Sequence, residues 1–535
     1  MTDYSSAFAR LRDYLEAYVR AYRLPGLAVV VTDRDKVLQT FDFGYADLAA
    51  QMPVAPETLF QIGSISKSFT AIALLQLHEA GRLDVNAPVT RYLPWFELPS
   101  RFAPITLHHL LTHTAGIICG QDVSPSAYAE ARALRETEAG AEPGTFYLYS
   151  NSGYKVLGLV LEEVLQQPYA EIIRERILTP LGMAGAEPVI TNDTRQRTAV
   201  GYAPAYDDRP ASRGAPLAPA SWLETDTGDG AIVATSTDMA AYARLLLNRG
   251  QGPQGRLLSE AGFGLLTQPA IRTEEAPDEI FYGYGLDISQ DEGHPIISHG
   301  GSMVGFVSAM LADMQAGLGI VLLSNGQRGV YRAGDAALRL LRGGAVDDPD
   351  LGRRVENAGE YLGDFRSPES GKSFTVEAEG EELALRFDGG RAPLERTSQP
   401  NEFHVLHPDF TLYLLRFERE GGQVVEAFHG PDWYAGGGYG GPRTFDAPAE
   451  WRAIPGHYRA YNPWYSNFRV VLRMGALAVI YSHGEEEPLT LLADGSFRIG
   501  ADERSPERVR FGELRHGRAE EANLNGGLYY RTFTR

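Results

Sequence analysis

One cysteine, Cys119, stands in 535 residues. It has no internal partner, so a disulfide framework and any multi-cysteine metal site are excluded. Lysine is nearly as scarce: Lys36, Lys67, Lys155 and Lys372 are the whole set, and every other basic side chain is arginine. Positive charge is short overall, 49 Lys plus Arg against 69 Asp plus Glu for a net charge of −20. That balance argues against a nucleic-acid or anionic-membrane partner. No stretch reaches the roughly 18 uninterrupted apolar residues of a membrane span. The first residues, Met1 to Arg23, are interrupted by Asp3, Arg10, Arg12, Asp13 and Glu16, so they lack the apolar core of a secretory signal and point to a cytoplasmic protein.

What is present describes an ordinary globular chain, 44% hydrophobic and 22% charged, long enough for three or four domains. Apolar residues at Phe8, Leu11, Leu15 and Val19 have helical spacing, and 26–32 and 36–42 read as a hairpin around a polar turn. From about Pro56 to Gly250 the pattern is helical and loop-rich. Strand character returns at 284–289, 296–299, 307–312 and 318–324, followed by a helix over 333–341, so one sheet draws strands from both ends of the first 345 residues. A turn-rich charged segment, Gly343 to Arg354, is the linker.

Beyond it, short alternating strands separated by Gly, Pro, Asn and Asp replace helical periodicity. Gly363-Asp-Phe resembles Gly456-His-Tyr, Phe374-Thr-Val resembles Phe468-Arg-Val, and Phe403-His-Val resembles Phe497-Arg-Ile. The offset, about 94 residues, marks two tandem copies of one small β-domain. The expected domains are therefore 1–345, 346–450 and 451–535.

The chemistry concentrates at Ser64-Ile-Ser-Lys67, at the start of an apolar helical run that stops at Gly81. Residues i and i+3 share a helix face, which brings the Lys67 amine within reach of the Ser64 hydroxyl. Burial disfavours the ammonium, and the helix N-terminus favours negative charge at the reacting centre, so nucleophile, base and part of an oxyanion site share one turn. Two more segments join it. Tyr149-Ser-Asn151 precedes an apolar helix over 154–165, and Ser298-His299-Gly300-Gly301-Ser302 ends a strand, its two glycines permitting close approach of a substrate backbone.

In this order and spacing the three segments resemble the serine β-lactamase and penicillin-binding-protein superfamily, whose S-x-x-K motif has two partner motifs. The resemblance covers about residues 5–342. It is supported by Gly81-Arg-Leu-Asp-Val-Asn-Ala-Pro88, Leu110-Leu-Thr-His-Thr-Ala-Gly116 and Leu318-Gly-Ile-Val-Leu-Leu-Ser-Asn325, and is nearest to class C β-lactamases, carboxypeptidases, esterases and D-aminopeptidases. It implies an α/β domain, an antiparallel sheet flanked by helices. It implies Ser64 as acylated nucleophile, Lys67 as its proton partner, Tyr149 as companion acid/base and Asn151 on the substrate amide. The oxyanion hole would be the backbone N–H groups of Ser64 and Ser302. Which of Lys67 and Tyr149 is the base stays open, and Lys155 reads as a surface residue.

The third motif opens with His299 where β-lactamases commonly carry Lys. A His of ordinary pKa is mostly neutral at pH 7, so carboxylate substrates are less favoured. His-x-Gly is a feature of D-aminopeptidases and related esterases, and D-aminopeptidases carry two antiparallel, lipocalin-like β-barrels after the catalytic domain, with a loop reaching the active site. Segments 431–441 and 461–467 are the two loop candidates. The implied function is a serine hydrolase working through an acyl-enzyme on a short peptide, amide or ester, D-aminopeptidase-like. A class-C-like esterase or weak β-lactamase, or a silent binding relative, are the alternatives. No metal or cofactor is required, and a homodimer stays open.

Overall fold

The computed structural model describes residues 4–122, 124–273, 279–349 and 352–534. Asp350 and Leu351 of the expected linker, and Met1 to Asp3 of the N-terminal segment, lie outside the described residues. By its contacts the chain divides into two compact units, 1–203 with 217–349, and 204–216 with 350–535.

In the first unit the helix Ser5–Tyr22 leads into a nine-stranded sheet. Its order is Ile271–Arg272, Phe281–Tyr282, Asp287–Asp291, His294–Met303, Phe306–Asp313, Leu318–Ser324, Gly26–Thr32, Val37–Asp47 and Met52–Pro53. All neighbours are antiparallel. The join between the two ends of the unit is the pairing of Leu27 with Ser324 through Thr32 with Gly319. The strand Gly26–Thr32 is buried along its whole length because both faces are covered. Leu27, Val29 and Val31 pack with Leu11, Leu15 and the helix Tyr331–Leu341. Ala28 and Val30 face the opposite cluster, with the helices Ser66–Glu79 and Ser236–Leu247.

One strand is displaced from its expected position. The segment expected at 284–289 begins at Asp287, because Gly283 and Gly285, the latter at φ +72°, turn the chain between the short strand Phe281–Tyr282 and Asp287–Asp291. A side chain at Gly285 would also meet the Ser68 backbone at 2.8 Å.

The second unit contains two closed antiparallel barrels of eight strands, Gly363–Arg366 to Asp432–Gly436 and Gly456–Arg459 to Gly527–Arg531. The residues that match between the two copies are the inward-facing ones: Phe365 and Tyr458, Phe374 and Phe468, Phe403 and Phe497, all buried. The segment 204–216 packs among the barrels. Asp207 pairs with Arg459 and Asp208 with Arg469, and Arg213 N–H donates to Glu395 at 2.8 Å.

The two loop candidates fare differently. Asp432–Gly436 is a barrel strand, with Trp433 buried and its indole N–H donating to Glu426 at 2.7 Å. Residues 461–467 do form a loop, tied by the Asn462 side chain accepting from the N–H groups of Trp464 and Tyr465, with Tyr461 fully exposed. No described helix is long and apolar enough to cross a membrane.

Candidate active site

The nucleophile turn is held by backbone. Phe60–Gln61 pairs with Val233–Ala234, and Ile62 N–H donates to the Ile232 carbonyl at 3.0 Å. Gly63 then takes φ +54°, the chain makes a 3₁₀ turn over Gly63–Ile65, and the helix Ser66–Glu79 begins. Ser64 therefore sits just ahead of the α-helix, in the tighter turn that leads into it. That helix is buried on nearly every side, and Lys67 within it has no exposed surface.

Lys67 Nζ lies 3.0 Å from Ser64 Oγ, 2.8 Å from Asn151 Oδ1 and 3.0 Å from the Asp229 carbonyl oxygen. Burial pulls its pKa down to about 8, against the opposing pull of Asp229 and, beyond it, Asp122. The partners decide the geometry of the neutral form. Two of the three are oxygens that only accept, so a neutral amine gives its two protons to Asn151 and Asp229 and aims its lone pair at the Ser64 hydroxyl.

Asn151 is the first residue of the helix Asn151–Leu165, which starts three residues before the apolar run seen in the sequence. Ser150 caps it, accepting from Gly153 N–H at 3.1 Å and donating to the Ile118 carbonyl at 2.7 Å. Tyr149, immediately before the cap, has its ring 4.8 Å from Lys67 Nζ and its hydroxyl bonded to Ser64. The residue is half-buried, and desolvation pushes the phenol well above its ordinary value.

The strand His294–Met303 supplies the third wall. Ser302 backbone lies against the nucleophile turn, since a Cβ on Gly63 would be 2.6 Å from Ser302 N. The two glycines divide their work. A Cβ on Gly301 would collide with the Ile62 carbonyl, so Gly301 is required by the protein's own backbone. A Cβ on Gly300 would make only ordinary contacts, with Tyr331 at 3.8 Å and the Ser308 carbonyl at 3.9 Å.

His299 is buried, its Nδ1 2.5 Å from the Gly300 carbonyl and its Nε2 3.0 Å from the Tyr282 hydroxyl. Burial, with Lys67 nearby, lowers its pKa to about 4. The structure thus brings together Ser64, Lys67, Tyr149, Asn151 and the backbone of Ser302, and puts a neutral imidazole on the third motif.

Lys155 is not at the surface. It is buried, 2.5 Å from Asp122 and 3.7 Å from Glu130. Burial alone would lower its pKa, but Asp229, Asp122 and Glu130 outweigh that and raise it. No local pattern signals this, because the carboxylates stand 33 and 25 residues upstream in a segment without a motif.

Other residues at the site were not singled out. His113 lies in the quoted Leu110–Gly116 segment, where Nδ1 accepts from Ser150 N–H at 3.0 Å and the ring sits 4.2 Å from Tyr149 and 4.7 Å from Tyr282. Burial keeps it well below its ordinary pKa. Asp229 touches Lys67 through a main-chain carbonyl, which carries no side-chain signature, while its charge also opposes the fall of the Lys67 pKa, and Tyr282 comes from the short strand that the pattern missed.

Known proteins share this arrangement of elements. Residues 11–343 match the family described as Beta-lactamase. Protein flp of Staphylococcus aureus (strain N315) is 27% identical over 315 residues, 56% of this chain and 60% of that protein, so the chain spans somewhat under two thirds of that relative's length. An uncharacterized protein of Mycobacterium tuberculosis is 30% identical over 306 residues, 50% of this chain and 75% of that one. Among solved structures, the octameric penicillin-binding protein homologue from Pyrococcus abyssi aligns with TM-score 0.60 at 24% identity, covering 80% of this chain and 99% of that one. The D-amino acid amidase from Ochrobactrum anthropi aligns with TM-score 0.54 at 23% identity, covering 63% and 99%. With its matched segment spanning more than half its length, the chain belongs to the β-lactamase family, within the serine β-lactamase and penicillin-binding-protein superfamily.

Proposed function

We propose that the protein is a serine hydrolase that acts through an acyl-enzyme, a D-aminopeptidase-like peptidase or amidase for short peptides, amides or esters. The observation that carries the reading is the buried Lys67 amine 3.0 Å from Ser64 Oγ with two acceptor-only partners. At pH 7 a group of pKa about 8 is neutral in about a tenth of the molecules. That fraction takes the Ser64 proton as Oγ bonds to the substrate carbonyl carbon. The oxyanion is received by the backbone N–H groups of Ser64 and Ser302.

Tyr149 keeps its proton at neutral pH and is placed to give it to the departing amine or alcohol; the proton held by Lys67 restores it. Water then attacks the acyl carbon, Lys67 again acting as base, and Ser64 is regenerated. Asn151 both orients Lys67 and offers its amide to the substrate. Two features favour short amides or esters over carboxylate-bearing substrates. His299 provides no positive charge, and the fold is shared with the D-amino acid amidase from Ochrobactrum anthropi.

The test is turnover of D-Ala-p-nitroanilide, L-Ala-p-nitroanilide, p-nitrophenyl acetate and nitrocefin, with Ser64→Ala as control and intact-mass detection of the acyl adduct. Release from the D-anilide is expected. Turnover of nitrocefin without the D-anilide overturns the aminopeptidase reading, ester turnover alone makes the protein an esterase, and no adduct with any substrate makes it a silent relative.

A further inference from the structure

His299 has two nitrogens and two different neighbours. The Gly300 carbonyl, 2.5 Å from Nδ1, can only accept a hydrogen bond. A neutral imidazole carries one proton, and this contact requires it on Nδ1; the other tautomer would press two lone pairs together. Nε2 is then a bare acceptor. The group facing it is the Tyr282 hydroxyl at 3.0 Å, on a ring with almost no exposed surface.

Tyr282 is firmly seated. Its ring packs 4.7 Å from His113 and 5.6 Å from Tyr147, and its strand pairs Tyr282 with Asp287. A second phenol, Tyr154, is hydrogen-bonded to Tyr282; its own proton goes to the Leu111 carbonyl at 2.8 Å, so it has none for the imidazole, and its oxygen competes with Nε2 for the Tyr282 proton. Tyr282 is the one group placed to satisfy Nε2. The remaining groups around this pair are the Lys67 amine, Tyr149 and His113, and the nearest acid acting on Tyr282 is Asp287.

We propose that Tyr282 is a positioning residue that sets acyl-group specificity: its O–H occupies the free acceptor of His299, holds the imidazole in the neutral Nδ1–H form, and so reserves the subsite beside Ser302 for uncharged acyl groups. This rests on Ser64 being the acylated nucleophile. An imidazole fixed this way presents neither an N–H nor a charge to a substrate carboxylate. Removing the phenol oxygen frees Nε2 to take up a proton, which a bound carboxylate would stabilise.

The test has two readouts on the full chain. Side-chain nitrogen NMR of [15N]histidine-labelled protein, with the His299 signal assigned by its loss in His299→Gln, is expected to show Nδ1 protonated and Nε2 bare. A wild-type Nε2–H signal would mean that Tyr282 gives its proton to Tyr154, and it overturns the proposal even if no variant folds. The second readout is the ratio of kcat/KM for p-nitrophenyl acetate over mono-p-nitrophenyl succinate. In Tyr282→Phe this preference is expected to fall about tenfold, the worth of one hydrogen bond to a charged group, mainly through a lower KM for the succinate ester. An unchanged ratio in a Tyr282→Phe protein that still hydrolyses the acetate overturns the proposal. Failure of both esters and of the D-anilide to acylate Ser64 in the wild type overturns the hydrolase reading and the specificity role with it, while the spectrum reports the tautomer regardless.

Discussion

Lys67 and Lys155 are two of four lysines in the chain, both buried, and their environments drive them in opposite directions. Around Lys67 the contacts are a hydroxyl, an amide oxygen and a main-chain carbonyl, all neutral. Around Lys155 they are carboxylates. Neutral acceptors solvate an ammonium without compensating its charge, so desolvation wins and the pKa of Lys67 falls to about 8. Charged acceptors compensate it, so Lys155 stays protonated. The first arrangement makes a base and the second a fixed ion pair, one helical turn beyond Asn151.

Four experiments break or sharpen that contrast. The largest effect is expected from Lys67→Met, which should lower kcat/KM by about 10²- to 10⁴-fold, the range for loss of a general base; a merely few-fold drop in stopped-flow acylation would remove Lys67 from the role. Lys155→Met should act on folding instead. It leaves Asp122 and Glu130 without their cation, at a cost of about 3–5 kcal/mol, read as a lower urea midpoint for the first unit.

Asn151→Asp makes the Lys67 site resemble the Lys155 site. Because Lys67 must be neutral to accept a proton, kcat/KM in the wild type should rise with pH through about 8 and then level off. A carboxylate at position 151 should move that midpoint up by about 1–3 pH units, and a profile that stays in place would show that another group sets it. The smallest effect is expected from Asp122→Asn. With less negative charge near Lys67, the same midpoint should drift to slightly lower pH, and a shift to higher pH would contradict the sign of that interaction.

Much of this was readable from the chain. The S-x-x-K spacing put Lys67 on the face of Ser64, and the 94-residue offset matched residues that prove to be barrel cores, Phe374 with Phe468 and Phe403 with Phe497. Local patterns report such features because they repeat along a helix or strand. Lys155 was misread because its apolar helix gives no sign that Asp122 and Glu130 fold back onto it. Gly301 was read as room for substrate, whereas the nearest atom it must avoid is the Ile62 carbonyl.

By itself, the sequence determined the order of motifs, the family, the two repeated β-domains and the pairing of Ser64 with Lys67, all consequences of short-range spacing. Only the tertiary structure decided the protonation of the site. Whether a lysine is a base or a salt-bridge partner, and whether His299 is charged, depends on which acceptors are brought within about 3 Å in a region closed to water, where one carboxylate in place of one carbonyl reverses the balance. Those partners come from residues 122, 151, 229, 282 and 300, which no local pattern connects.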